Sequence, residues 1–261
     1  MMKIYRFEVR RLLPMSLFFA LMMLLLTAGA AMLFSEANVQ ALSEARAKAP
    51  FFFQALGLQG SATLTQHLSS LLYGFLLPLL GGLYVIFLSS RLVADKVETG
   101  EMAYYLALPI GRVGFALTQC LVLLTGLIIL TALHSMGGVL ACTLLAPGRL
   151  QFGPYLWLNL GFWLTMSMTG GLAMLINFRA DERRHANRAA LLLGAMFGLL
   201  CMLGRPHQMP DYTQFMSFYS LFDFAGLAQG RLDFRGLLMP VVTLAFMLAG
   251  LRVFSKRELP L

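Results

Sequence analysis

Residues 113–148 read VGFALTQCLVLLTGLIILTALHSMGGVLACTLLAPG, a stretch without a single Asp, Glu, Lys or Arg. An α-helix rises about 1.5 Å per residue, so about 20 residues cross a hydrocarbon core of roughly 30 Å. The stretch exceeds one span and reads as a membrane helix over about 113–135 followed by an outer segment. Working outward, five more charge-free stretches lie at 12–35, 49–90, 150–178, 189–204 and 236–251. The first part of 49–90 holds Pro50, Gln54, Gln59, Gly60, Ser61, Thr63, Thr65, Gln66 and His67, which moves its span to about 68–90. The last two stretches are short, but flanking Arg188, Arg205 and Arg252 can snorkel to the interface. The reading is one membrane domain over 1–261, with spans at about 12–34, 68–90, 113–135, 154–178, 188–205 and 236–254.

Composition agrees. Of 261 residues, 59% are hydrophobic and 12% charged, against about 25% charged in a soluble domain. Mean hydropathy is +0.74. These values exclude a disordered chain and argue against a soluble globular enzyme. The net charge of +8 has two readings, a nucleic-acid surface or basic cytoplasmic loops. With the N-terminus cytoplasmic, fourteen basic residues fall inside: Lys3, Arg6, Arg10, Arg11, Arg91, Lys96, Arg112, Arg179, Arg183, Arg184, Arg188, Arg252, Lys256 and Arg257. Six fall outside: Arg46, Lys48, Arg149, Arg205, Arg231 and Arg235. This bias predicts a multi-pass protein of the cell membrane with both termini cytoplasmic, and it accounts for the basicity without nucleic acid. Residues 1–34 resemble a signal peptide, with a basic start and Ala28-Gly29-Ala30. The apolar run continues to Phe34, past a usual signal core, so it reads as a retained span.

The interiors of the spans are poor in chemistry. None carries an acidic or strongly basic residue near its middle, where ion paths and proton relays place one. His134-Ser135 pairs two potentially catalytic types, but adjacent helical residues do not face each other; His134 reads as a buried polar side chain bonded to a neighbouring helix. Met166-Ser167-Met168 reads as packing rather than soft-metal binding. Cys120, Cys142 and Cys201 all lie in apolar stretches, against a disulfide framework. Gly81-Gly82, Gly137-Gly138, Gly170-Gly171 and Gly194 with Gly198 read as sites of close helix approach.

The loop between spans 2 and 3 is the most informative. Read as one helix, it places Val97, Tyr104, Tyr105 and Leu108 on one face and Asp95, Lys96, Glu98 and Glu101 on the polar side. Pro109 and Gly111 end it. Composition leaves two readings open: a connector lying at the interface, or a lever that docks on a soluble partner.

Glu98-Thr99-Gly100, followed by Leu-Ala-Leu-Pro-Ile-Gly-Arg at 106–112, resembles the cytoplasmic loop of ABC type-2 exporter permeases, with Gly111 where that family often has Ser. Phe7-Glu8-Val9-Arg10-Arg11 is similar to the family's N-terminal elbow helix. Ser220-Leu221-Phe222-Asp223 and Gly230-Arg231-Leu232-Asp233 before the last span, and Phe254-Ser255-Lys256-Arg257-Glu258-Leu259 after it, fit the same layout. The resemblance implies an all-α integral membrane fold of six transmembrane helices. It implies a cytoplasmic elbow helix at about 3–11, a coupling helix at about 95–107, and short re-entrant helices within 206–234. The coupling surface would comprise Asp95, Lys96, Val97, Glu98, Thr99, Gly100, Glu101, Tyr104, Tyr105 and Leu108. Phe51, Phe52, Phe53, Phe215, Phe218 and Phe222 would close the outer mouth.

No Gly-x-x-x-x-Gly-Lys-Ser/Thr phosphate loop occurs in the sequence. ATP and Mg²⁺ would therefore be held by a partner ATP-binding subunit, with no cofactor on this chain. A second permease subunit, as homodimer or heterodimer, and membrane lipid complete the implied partners. The expected function is export of amphipathic compounds. A membrane scaffold or sensor that recruits a cytoplasmic partner, and a secondary carrier, stand as alternatives.

Overall fold

The computed structural model describes residues 1–58, 62–106, 111–206, 217–231 and 233–257. Among the described residues every regular element is helical. Six helices are long and apolar enough to cross a membrane, as a multi-pass membrane protein requires. In order, α1 is Met2–Met32, α2 Glu36–Lys48, α3 Pro50–Ala55 and α4 Leu64–Leu68. A π-helical stretch, Ser69–Leu76, joins α4 to α5, Leu77–Leu92. Then follow α6 Ala94–Glu98, α7 Glu101–Leu106, α8 Gly111–Leu145, α9 Phe152–Asn177, α10 Arg183–Gly204, α11 Phe224–Ala228 and α12 Leu238–Lys256.

The bundle is arranged for lipid. Phe18, Leu25, Met136, Leu144 and Leu192 are more than half exposed, while Ser16, Thr165, His134 and Asn177 are fully buried. A water-soluble fold buries those apolar groups first; lipid tails are as apolar as Leu, so outward Leu loses nothing. The buried hydroxyls return to their own helix, as Thr165 Oγ1 does to the Gly161 carbonyl at 2.8 Å. Others tie helices together. The Ser16 and Tyr84 hydroxyls meet at 2.8 Å, and Asn177 donates to Ser89 Oγ at 3.1 Å.

Helix α9 is the axis of the bundle, packed by α5, α8 and α12. In its apolar window 67% of residues are buried, against 17% for peripheral α10. Small residues set the approaches. A Cβ on Gly81 would meet Phe162 at 2.8 Å, and one on Gly170 would meet Leu123 at 2.7 Å. Met166 packs on Gly81 as a gap-filler within the core.

The charged termini of the helices converge on one end. There Lys96 pairs with Glu8, Arg183 with Asp95, and Arg257 with Asp181. Arg112 donates to the Arg257 carbonyl at 2.7 Å. The opposite end carries α2, α3 and the π-helical stretch, where the Arg149 guanidinium lies 5.8 Å from the Phe34 ring centroid. The four basic segments read as cytoplasmic thus share one end. Cysteines introduced at exposed Ser43 and Arg184, after Cys120, Cys142 and Cys201 are replaced, are expected to label from opposite sides of the membrane with an impermeant thiol reagent. Labelling of both from one side would overturn the six-span arrangement.

Several elements differ from the sequence reading. Helix α8 continues to Leu145, ten residues beyond the expected end at 135, because 136–145 holds no Pro and its Gly137 and Gly138 are covered by Leu24 and Tyr155. Residues 3–11 form no separate helix but the first turns of α1. Pro14 removes one hydrogen bond without ending the helix, and no glycine lies nearby to turn the chain. The expected helix over 95–107 is broken at Gly100, whose φ is +73°. Gly100 closes α6 as a left-handed cap, the role for which a missing Cβ is favoured. A Cβ there would touch nothing within 4 Å, so backbone conformation, not close approach, explains this glycine. Ala107 and Leu108 lie outside the described residues, as does Phe215.

Candidate functional site

Two features stand out, a polar network at the basic end and a cavity between helices. The network begins at Glu8 on α1, where an Arg-rich turn would be expected to face water. Glu8 and Lys96 are instead 3% and 2% exposed and form an ion pair. The Tyr105 hydroxyl donates to the same Glu8 oxygen at 2.9 Å. The Lys96 ammonium stands 4.5 Å over the Tyr105 ring. Burial raises the Tyr105 phenol pKa, and the Glu8 charge raises it further, which keeps it a donor. Lys96 is therefore not part of a polar outer face; it is the pin that fastens α6 to α1.

A second link runs from α6 to α10. Asp95 accepts from Arg183 Nη1 at 3.2 Å, and Glu98 accepts from the Arg183 backbone N–H at 2.8 Å. Glu98 thereby satisfies an unpaired donor in the first turn of α10, where negative charge is favoured. Of the residues grouped on an apolar face, Val97 is buried, Tyr105 half-buried and Tyr104 80% exposed. The break at Gly100 sends them in different directions. Thr99 bonds back to the Asp95 carbonyl at 2.8 Å. Phe7, Arg10 and Arg11 are exposed on α1, and Glu101 is half-buried.

The cavity, about 320 Å³, lies among the π-helical stretch, α5, α9 and α10. Its lining runs from Tyr73 to Ile86 on one side and from Leu191 to Arg205 on the other. At 1.5 Å per residue each wall is roughly 20 Å long. Gly82, Gly194 and Gly198 line it, and a Cβ on any of them would meet nothing within 4 Å. Here the sequence reading is corrected. Among the described residues Gly194 and Gly198 bring no helices together; their missing side chains leave room.

The segment after α10 closes one side. A 3-10 turn, Phe218–Leu221, leads into α11. Phe222 packs on Gly161, and the Tyr219 hydroxyl lies 3.1 Å from Thr169 Oγ1. Thr169 is seventeen residues into α9, roughly 26 Å from its start, so this segment inserts deeply between helices. Phe218 stacks on Phe197 with centroids 4.9 Å apart. By contrast Phe51 and Phe52 remain exposed, Phe53 is half-buried, and α2 buries no residue. Of the residues expected at an outer mouth, Phe218 and Phe222 thus pack into the bundle, whereas Phe51 and Phe52 stay exposed.

Arg205 stands at the cavity's end remote from the basic loops. Its Nη1 donates to the carbonyls of Ala55 at 3.2 Å and Gly74 at 3.0 Å, and its guanidinium lies 5.0 Å from the Phe224 ring centroid. Sequence reading treated it only as a snorkelling flank. His134 is fully buried against the Tyr73 ring, and neither ring nitrogen has a hydrogen-bond partner among the described residues; the expected interhelical bond is not made. No protein-family model matches the chain, and neither does any curated protein sequence.

Proposed function

We propose that this chain is the membrane subunit of an ATP-driven exporter of amphipathic compounds such as drugs, antimicrobial peptides or lipids. It works with a separate ATP-binding subunit and a second permease subunit, in the cell membrane with both termini cytoplasmic. The observation that supports this reading is a continuous line of contacts. It runs from the loop at 94–106 through Asp95, Glu98 and Arg183 into α10, which walls the cavity.

In this mechanism ATP and Mg²⁺ are held by the partner subunit, which supplies the energy. This chain performs no bond chemistry. Its first turns, residues 3–11, act as the elbow, and α6 with α7 form the coupling element. The Glu8–Lys96 pair holds α6 on α1 while Arg183 carries its displacement to α10. Peripheral α10 then shifts against α5 and α9, two packed arrangements alternating as in other rigid-body switches. The inserted segment at 217–228 serves as the re-entrant closure on the outer side.

The test is affinity purification in mild detergent, with the co-purifying chains identified and ATPase measured. An ATP-binding subunit is expected. A non-ATPase cytoplasmic partner would favour the scaffold reading, and ATP-independent flux a secondary carrier. Tyr104→Ala is the sharpest variant, since Tyr104 is 80% exposed. It should leave thermal stability unchanged while complex recovery falls. The double variant Glu98→Lys, Glu101→Lys should also insert, with substrate-stimulated ATPase reduced several-fold. Exposed ion pairs contribute about 0–1 kcal/mol each, so coupling weakens before assembly is lost. Normal recovery and stimulation in both variants would remove the loop from the partner interface.

A further inference from the structure

We propose that the cavity between α5 and α10 binds a single-chain amphiphile with an anionic head, of the fatty-acid class. Arg205 holds the head and Gly82, Gly194 and Gly198 make room for the tail. The proposal rests on the export reading for its role, since it names the class of compound that would enter the pathway, but binding itself needs neither ATP nor a partner.

Four observations meet at this site. First, its form is elongated, with walls roughly 20 Å long, as a chain lying along the helices requires. Second, the walls are apolar over most of that length, with Leu83, Ile86, Leu191 and Leu199 facing the space. Two of the wall hydroxyls already have partners: Thr165 bonds the Gly161 carbonyl and Thr169 meets Thr165 and Tyr219. Third, the room is made by glycines whose Cβ positions are open. Any larger residue at 194 or 198 would project into the space or its rim, without a packing reason for the glycine. Fourth, among the described residues the one charged residue in the lining is a cation at one end, Arg205.

That charge decides the head. Arg205 is half-buried, and among the described residues no carboxylate pairs with it. Two carbonyls orient the group through Nη1 and the Cys201 thiol lies against it, while a guanidinium carries five donors in a planar fork that matches a carboxylate. In a low-dielectric site such a charge-assisted bond is stronger than a neutral one. A cationic amphiphile would be repelled there, and a neutral one would gain only the apolar walls. The nearby Phe224 ring, with its centroid 5.0 Å from the guanidinium, makes a cation–π contact with it.

The test uses the full chain, purified alone, in nanodiscs of phosphatidylcholine. The probe is palmitic acid carrying a diazirine near its tail, cross-linked by light and mapped by peptide sequencing. Labelling is expected within 75–86 and 191–202. Unlabelled palmitate should compete about tenfold or more better than hexadecanol, the margin of a charge-assisted bond. Arg205→Gln should abolish that preference and Arg205→Lys should retain part of it. Because Arg205 also braces Ala55 and Gly74, Gly198→Leu is the second variant. Its Cβ would meet no described neighbour within 4 Å and its side chain enters the cavity, so thermal stability should hold while labelling falls at least about fivefold, as an occluded apolar site requires. Labelling elsewhere, equal competition by acid and alcohol, or unchanged labelling of Gly198→Leu would each overturn the proposal. Cross-links between copies at Leu199, without acid-selective competition, would also overturn it by assigning the space to a subunit interface. Failure here leaves the coupling reading of the loop intact, and absence of an ATP-binding partner leaves the binding result intact.

Discussion

Lys96→Met is expected to destabilise the folded protein by about 3–5 kcal/mol, the loss typical when one partner of a buried ion pair is removed. Lys96 and Glu8 are almost wholly buried, so the substitution leaves the Glu8 carboxylate in a low-dielectric site with Tyr105 as its one donor among the described residues. The same pair on a surface would contribute about 0–1 kcal/mol. Reversible unfolding in detergent separates the two cases. Adding Glu8→Leu to Lys96→Met should recover much of the loss, because the unpaired charge is then gone. A single-variant loss below about 1 kcal/mol would mean that water reaches the pair. If α6 is fastened to α1 by this pair, the single variant should also raise hydrogen exchange across 94–99 more than elsewhere at the basic end.

Gly74→Val carries the second large effect, and at the opposite end. A Cβ on Gly74 would lie 2.7 Å from the Leu56 carbonyl oxygen and 3.5 Å from Gly57 Cα. Both are backbone atoms, so no side-chain rotation relieves the overlap. Gly57 is itself at φ +78°, with the Arg205 Nη1 3.0 Å from where its Cβ would stand. Overpacking of this kind typically costs about 1–3 kcal/mol. The expected result is a lowered thermal midpoint together with faster hydrogen exchange over 50–58, as α3 lifts from the π-helical stretch. Unchanged exchange in that segment would show that α3 is not seated on Gly74.

The contrast between these sites shows what was legible beforehand. Absence of charge over 113–148 is a local property, and the need to bond every backbone group internally in lipid turns it into a helix without reference to the rest of the chain. The same holds for all six spans. The gathering of fourteen basic residues into four segments also needed no coordinates. Pro109 and Gly111 read as the end of the loop helix, but φ +73° at Gly100 breaks it earlier than its amphipathic pattern indicates. Side-chain polarity alone put Lys96 among the polar residues, because nothing within the loop signals a carboxylate on α1.

Pairing across the bundle belonged to the tertiary structure. Glu8 and Lys96 lie 88 positions apart, Glu98 and Arg183 lie 85 apart, and no periodicity connects them. The glycines make the same point. Gly81 and Gly198 are indistinguishable in sequence, yet one is pressed against Phe162 and the other faces open space. A missing side chain permits either outcome, and only the positions of the neighbouring helices decide between contact and cavity. Sequence alone determined that this chain carries six segments long and apolar enough to cross a membrane, because hydrophobic length and charge placement act locally. Which charge is pinned, which glycine is empty and which arginine ends a cavity were decided by packing, a property of residues far apart in the chain.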